Sequence, residues 1–167
     1  RICLVGSEMC IRDRPKPFSI DEVFSYKYKL AVVLASGDPF WFGVGPLLTK
    51  NLKKNEWRSY PVPSTFSLAA NKIGWPINAV DCLAFHAKPV ETPPAKLSEA
   101  GKAIILLREF RQIEQILSVL EKHNVNVIES FMLSRLGCPE EKVVKLTDSK
   151  LSDFKQASKS LKPLALG

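Results

Sequence analysis

Ser36-Gly37-Asp38-Pro39 holds the residue types in this chain best suited to gripping a ligand. The segment closes the aliphatic run Leu30 to Ala35, and in an open α/β sheet ligands bind beyond the carboxyl ends of strands, where loops expose backbone N–H and C=O groups. Gly37 allows close approach of the backbone, Asp38 supplies a charge or an acceptor, and Pro39 fixes the turn. Phe40, Trp41 and Phe42 place three aromatic rings at the same mouth, and Gly43 and Gly45 let the chain fold back. A strand-to-helix turn lined with aromatics and holding nothing would show the same pattern. Asp38 and His86 are the two groups considered for moving a proton. A lone histidine at a strand end is commonly a hydrogen-bonded structural residue, and Asp38 reads as a loop organiser, so neither is assigned as a base and no catalytic residue is named.

Metal and disulfide chemistry are not expected. The four cysteines, Cys3, Cys10, Cys82 and Cys138, form no CxxC pair, which argues against a zinc site and favours reduced thiols in a cytoplasm. At 167 residues, 46% of them hydrophobic and 25% charged, the chain is long enough for one large domain or two small ones with a core. Its aliphatic runs are far too short to span a bilayer, so no membrane partner is expected. Lys and Arg exceed Asp and Glu by 24 to 17, a net charge of +7. Positive charge around a cleft concentrates an anionic ligand. Nucleic acid is the rival anion, but lysines such as Lys50, Lys53, Lys54, Lys142 and Lys145 are scattered, with no aromatic interleaving and no known binding module, so no nucleic-acid partner is expected.

The elements that must position these groups follow from periodicity and punctuation. A Ser19-x-x-Glu22 capping box predicts a short helix starting near Ser19. Leu30 to Ala35 is too short for a helix and reads as a strand buried on both faces, which suggests a parallel sheet. Pro46 to Lys53 offers Leu47, Leu48 and Leu52 at helical spacing, and Trp57 to Val62 is extended, closed by Pro61 and Pro63. Phe66 to Ile73 reads as a helix stopped by Gly74-Trp75-Pro76, followed by a short strand from Val80 to Phe85. His86 to Lys96 carries three prolines and little apolar bulk, the composition of a boundary. Beyond it come a buried strand from Ala103 to Leu107, an amphipathic helix from Gln112 to Lys122 with Ile113, Ile116, Leu117 and Leu120 on one face, and a strand from Val125 to Met132, a second βαβ unit. Glu141 to Leu146 reads as a further strand, Leu151 to Ser158 as a helix and Leu161 to Leu166 as extended. Alternation of strands and helices on both sides of a Pro-rich joint predicts two α/β domains, 15–88 and 97–167, joined by a linker at 89–96.

Residues 1–14 are left out of that division. Leu4 to Asp13 reads LVGSEMCIRD, which translates ctc gtg ggc tcg gag atg tgt ata aga gac, part of a transposase sequencing adapter. The segment is expected to be the scar of a chimeric read and not native sequence. Setting aside Arg1, Arg12, Arg14, Glu8 and Asp13 lowers the net charge by one and leaves the chain basic.

Four motifs then fall in order: LASGDPFWFGVG (Leu34 to Gly45), VPSTFSLAANKIGWPI (Val62 to Ile77), LAFHAKP (Leu83 to Pro89) and SRLGCPEEKVV (Ser134 to Val144). Together they resemble the tetrapyrrole methylase family, and within it the precorrin-6Y C-5,15-methyltransferase branch, over nearly all of residues 15–166. The resemblance implies an α/β, two-domain tetrapyrrole methylase fold, expected to be N-terminally truncated because the family's opening strand and glycine-rich loop would lie upstream of the point at which this chain enters. Ala87 and Lys88 stand where the branch usually has Gly and Arg, and Cys138 where it usually has Gly. Lys88 keeps a cation but not the bidentate fork of arginine.

What the resemblance implies is transfer of a methyl group from S-adenosyl-L-methionine to C-5 of a corrin precursor in cobalamin biosynthesis, with the cofactor folded between the two domains. Carried over by position, Ser36, Gly37, Asp38, Trp41, Ser64, Thr65 and Arg108 would contact the cofactor, His86 and Lys88 the substrate, and Gly137 would lie near the last motif's contact. Ser64 and Thr65 open a helix, where unpaired backbone N–H groups and hydroxyls suit a ligand's polar groups. The resemblance also implies a small-molecule tetrapyrrole substrate and a homodimer. Two other readings stay open, a tetrapyrrole methylase acting at a different ring carbon and a noncatalytic α/β binding module.

Overall fold

The computed structural model describes residues 4–5, 11–12, 20–25, 30–85, 101–107, 111–146 and 154. The linker expected at 89–96, the tail at 161–166 and all of the expected helix 151–158 but Phe154 lie outside the described residues. The chain forms two compact units, residues 1–64 and residues 65–167.

In the first unit, β1 (Leu4–Val5) pairs antiparallel with β2 (Ile11–Arg12) and with β3 (Val32–Val33), in the register Leu4↔Val33 and Val5↔Val32. Pairing on an open strand edge uses backbone groups alone and is indifferent to the side chains that bring it about. The expectation of a strand buried on both faces is corrected here. Leu30, Val32 and Leu34 are exposed while Ala31, Val33 and Ala35 are half-buried, the period of two of a strand covered on one face. The expected capping box is corrected as well: α1 (Asp21–Phe24) is preceded by Ile20, and no side-chain hydrogen bond caps it. The helix α2 (Gly45–Thr49) is shorter than its leucine spacing predicts. Beyond Thr49 the chain turns instead, with the Leu52 N–H donating to the Thr49 carbonyl and the Lys53 N–H to Glu56 Oε2 at 2.7 Å.

The second unit is built around α3 (Thr65–Ile73). Its apolar residues Phe66, Ala69 and Ala70 recur at helical spacing and are buried, Phe66 to 1% exposure, together with Ile104. Small alanines let the helix approach the sheet closely, and Leu106, Leu133, Leu136 and Trp75 close over them. Gly74 ends α3 in the left-handed conformation at φ 71°, with the Trp75 N–H donating to the Ala70 carbonyl at 2.8 Å and the Gly74 N–H to Asn71. That pair of bonds is the Schellman arrangement, and Trp75 supplies its apolar contact. After a 3-10 turn (Ile77–Ala79), β4 (Asp81–Ala84) pairs in parallel with β5 (Ala103–Leu106), from Asp81↔Ala103 to Ala84↔Leu106. The two strands that flank the Pro-rich segment are thus immediate neighbours.

The helix α4 (Arg111–Lys122) buries Ile113 and Ile116, and Gln112 Nε2 donates to the Phe85 carbonyl at 2.6 Å, tying its first turn to the end of β4. Asn124, at φ 53°, ends it by the same device as Gly74. The expected strand at 125–132 begins later. Ile128 is 90% exposed, and β6 (Ser130–Ser134) starts where it can pair antiparallel with β7 (Lys142–Leu146), from Ser130↔Leu146 to Ser134↔Lys142. Among the described residues β5 and β6 therefore belong to different sheets, which corrects the expectation of a second βαβ unit. A hairpin partner seven residues away costs less loop entropy than a crossover over α4.

Candidate functional site

The turn after β3 is a closed curl centred on one carbonyl. The Gly45 N–H donates to the Pro39 carbonyl at 2.8 Å, the Trp41 N–H to the Asp38 carbonyl at 3.2 Å, and the Phe40 N–H to Asp38 Oδ1 at 2.8 Å. Asp38 thereby forms an Asx turn that fixes the three aromatics behind it. Glycine is required twice by space. A Cβ at Gly43 would stand 2.8 Å from the Pro39 carbonyl carbon, and one at Gly45 2.7 Å from its oxygen. Phe42 pays for the curl with a left-handed φ of 53°.

The turn is docked on the extended segment that leads to Ser64. The Val62 N–H reaches the Gly37 carbonyl at 3.4 Å, and the Phe40 ring lies 5.3 Å from that of Trp57, which Lys54 Nζ covers at 4.5 Å. Ser36, Gly37, Asp38 and Trp41 are thus brought together, with Ser64 two residues beyond the segment's bond to Gly37. Ser36 and Trp41 are exposed, Gly37, Asp38 and Ser64 half-buried. Thr65, exposed, is the first residue of α3. Arg108, His86 and Lys88 lie outside the described residues.

The last motif forms a second ordered loop, and sequence reasoning missed its main groups. Between β6 and β7, Glu141 accepts the Gly137 N–H on Oε2 at 2.9 Å and pairs through Oε1 with Lys72 Nζ of α3 at 2.5 Å. The hydrogen bond from Lys72, then that from Gly137, hold the Glu141 carboxyl below its ordinary value of 4.5. Gly137 has φ 76°, and a Cβ there would meet Leu68 of α3 at 3.4 Å. Arg135 is left-handed too, at φ 54°. The glycine at 137 is the one local signal that could have marked the turn. Nothing there pairs Lys72 with Glu141, because the contact joins residues far apart in the chain.

Among the described residues no group of three or more His, Cys, Asp and Glu is placed to hold a metal ion, and no helix is long and apolar enough to cross a membrane. Burial, and next the charge of Asp81, push the Cys82 thiol up, so it is a poor nucleophile.

The described residues thus form a mixed α/β frame with an ordered curl after β3. Residues 20–152 match the family of Tetrapyrrole (Corrin/Porphyrin) Methylases, and the chain belongs to that family. It is 30% identical over 129 residues to the Precorrin-6Y C(5,15)-methyltransferase [decarboxylating] of Sinorhizobium sp, an alignment that covers 77% of this chain and 31% of that relative. No solved structure matches the chain.

Proposed function

We propose that this chain is part of an S-adenosyl-L-methionine-dependent methyltransferase that methylates C-5 of a precorrin-6Y-type corrin precursor. Family membership and the activity named for the Sinorhizobium relative support the reading. The observation that carries it is the 36–45 curl, a hydrogen-bonded turn after a strand that keeps Ser36 and Trp41 exposed. The residues present fit the cofactor. Ser36 offers a hydroxyl to one of its polar ends, Gly37 lets the backbone come close, and the exposed Trp41 ring offers a face to a sulfonium.

The cofactor supplies a methyl group that is already activated, so an electron-rich ring carbon can take it by in-line attack. Positioning is then the protein's main task, and good alignment of two reactants is worth about 7–11 kcal/mol of barrier. Asp38 serves that task through the Phe40 N–H, as the organiser of the curl. The net positive charge, which remains when residues 1–14 are set aside, favours a substrate that carries several carboxylates. Isothermal titration of the protein with S-adenosyl-L-methionine tests the reading, with saturable one-to-one binding as the expected result. A folded protein that binds none points to a noncatalytic module. Mass spectrometry and NMR of the product from a precorrin-6Y-type substrate fix the carbon, and methylation elsewhere moves the chain to another specificity.

A further inference from the structure

We infer that Trp57 is a positioning residue of the ligand site that acts through Phe40, an assignment that rests on the methyltransferase reading above. The four rings around the curl form two pairs. Trp41 and Phe42 meet edge to face at 6.2 Å, and both are exposed. Phe40 instead pairs with Trp57, at 5.3 Å and an interplanar angle of 38°. Phe40 is the point at which the curl can be held from outside. Its N–H donates to Asp38 Oδ1 at 2.8 Å, its ring lies so close to Gly45 that a Cβ there would meet Cδ2 at 3.1 Å, and Trp41 follows it directly in the chain.

Trp57 is itself fixed by its own segment. Glu56 closes the turn before it, accepting the Lys53 N–H on Oε2 at 2.7 Å while its own N–H donates to the Lys53 carbonyl at 2.9 Å, and Lys54 Nζ lies 4.5 Å from the centroid of the Trp57 ring. Further along the same segment, the Val62 N–H reaches the Gly37 carbonyl at 3.4 Å and holds the curl at a second point. Core packing does not account for the indole. Among the described residues the buried apolar side chain of the first unit is Val44, and the cluster around Phe66 belongs to the second. Trp57 is half-buried, and its ring contact is made with the curl. An indole on an ordered turn that grips the ring beneath a ligand loop supports that loop from behind, and so sets where Gly37 and Trp41 stand.

The test measures S-adenosyl-L-methionine binding by calorimetry in Trp57→Leu, Phe40→Leu, the double variant and Trp57→Phe, with far-UV circular dichroism and melting temperature to show that each is folded. Trp57→Leu should bind at least about tenfold more weakly than the wild type and Trp57→Phe, which restores a ring, within about threefold of it. The double variant should bind no more weakly than the weaker single one, since both changes remove the same contact. Wild-type affinity of a folded Trp57→Leu overturns the assignment. A loss in the double variant equal to the product of the single losses overturns it too, because Trp57 would then act apart from Phe40, and so does a loss in Trp57→Phe as large as in Trp57→Leu. Failure of Trp57→Leu to fold makes the indole structural and has the same consequence. A wild type that binds no S-adenosyl-L-methionine removes the methyltransferase reading and this assignment with it, whereas a wild type that binds and a Trp57→Leu that matches it remove the assignment alone.

Discussion

Glu141 and Lys72 join the last motif of the chain to the helix of the second: Lys72 Nζ meets Oε1 of the carboxylate at 2.5 Å while its other oxygen holds the Gly137 N–H. The bridge should make the second unit acid-sensitive. A carboxylate whose folded pKa is depressed contributes stability that is fully present above the unfolded value, here 4.5, and lost as pH falls through the lower folded one. Melting temperatures of the wild type and Glu141→Gln should therefore differ at pH 7 and converge as the pH drops below about 4.5. Parallel loss in both proteins across that range would show that the bridge does not form in solution.

The elements that could be read from the sequence are those whose signal is local. Ile113, Ile116 and Leu120 mark α4 by period, and Gly74 marks the end of α3, because helix periodicity and a left-handed cap depend on a few adjacent residues. Strand partners were not legible. LAVVLA resembles a strand buried on both faces, yet Leu30, Val32 and Leu34 are exposed, since the cover of each face is decided by residues distant in the chain. The start of β6 at Ser130 is set by the register with β7 and not by the apolar Val125 and Val127 before it. At the candidate site, Ser36 to Asp38 stood out because glycine, aspartate and proline in a row specify a turn.

Gly43 and Gly74 separate space from conformation. Alanine at Gly43 forces its Cβ onto the Pro39 carbonyl, an overpacking cost of about 1–3 kcal/mol, and it distorts the curl that carries Ser36 and Trp41. Alanine at Gly74 meets nothing but must adopt φ 71°, a cost of about 1–2 kcal/mol. Both variants should melt below the wild type, while calorimetry should show S-adenosyl-L-methionine binding weakened at least about tenfold, or ~1.4 kcal/mol, in Gly43→Ala and unchanged in Gly74→Ala. Equal affinity in the two would place the ligand away from the curl.

The two described thiols should react at different rates. Cys138 is exposed on the 135–141 loop, whereas Cys82 is half-buried and its thiol is pushed up by burial and by Asp81. Since the thiolate is the reactive form, iodoacetamide at pH 8 followed by peptide mapping should label Cys138 in the native protein well before Cys82. The difference should vanish in urea, where both thiols are solvated. Labelling of Cys82 at the rate of Cys138 under native conditions would contradict the packing of β4.

Asp38 discriminates an organiser from a proton acceptor. Its Oδ1 accepts the Phe40 N–H, and an amide oxygen in the same place can accept that bond without being able to take a proton at neutral pH. Asp38→Asn should therefore keep the curl, bind S-adenosyl-L-methionine within about threefold of the wild type and retain most of kcat, because a bond to the backbone is worth only about 0.5–1.5 kcal/mol and here it is conserved. Asp38→Ala frees the Phe40 N–H and loosens the aromatics behind it, so its loss should appear mainly as weaker cofactor binding. If Asp38 were instead the group that accepts the ring proton, Asp38→Asn would bind cofactor normally and lose about 100-fold or more in kcat, the range typical of a missing general base. Comparing the two variants in binding and in turnover distinguishes the roles, since the organiser predicts that Ala is worse than Asn in affinity and the base predicts that both fail alike in rate.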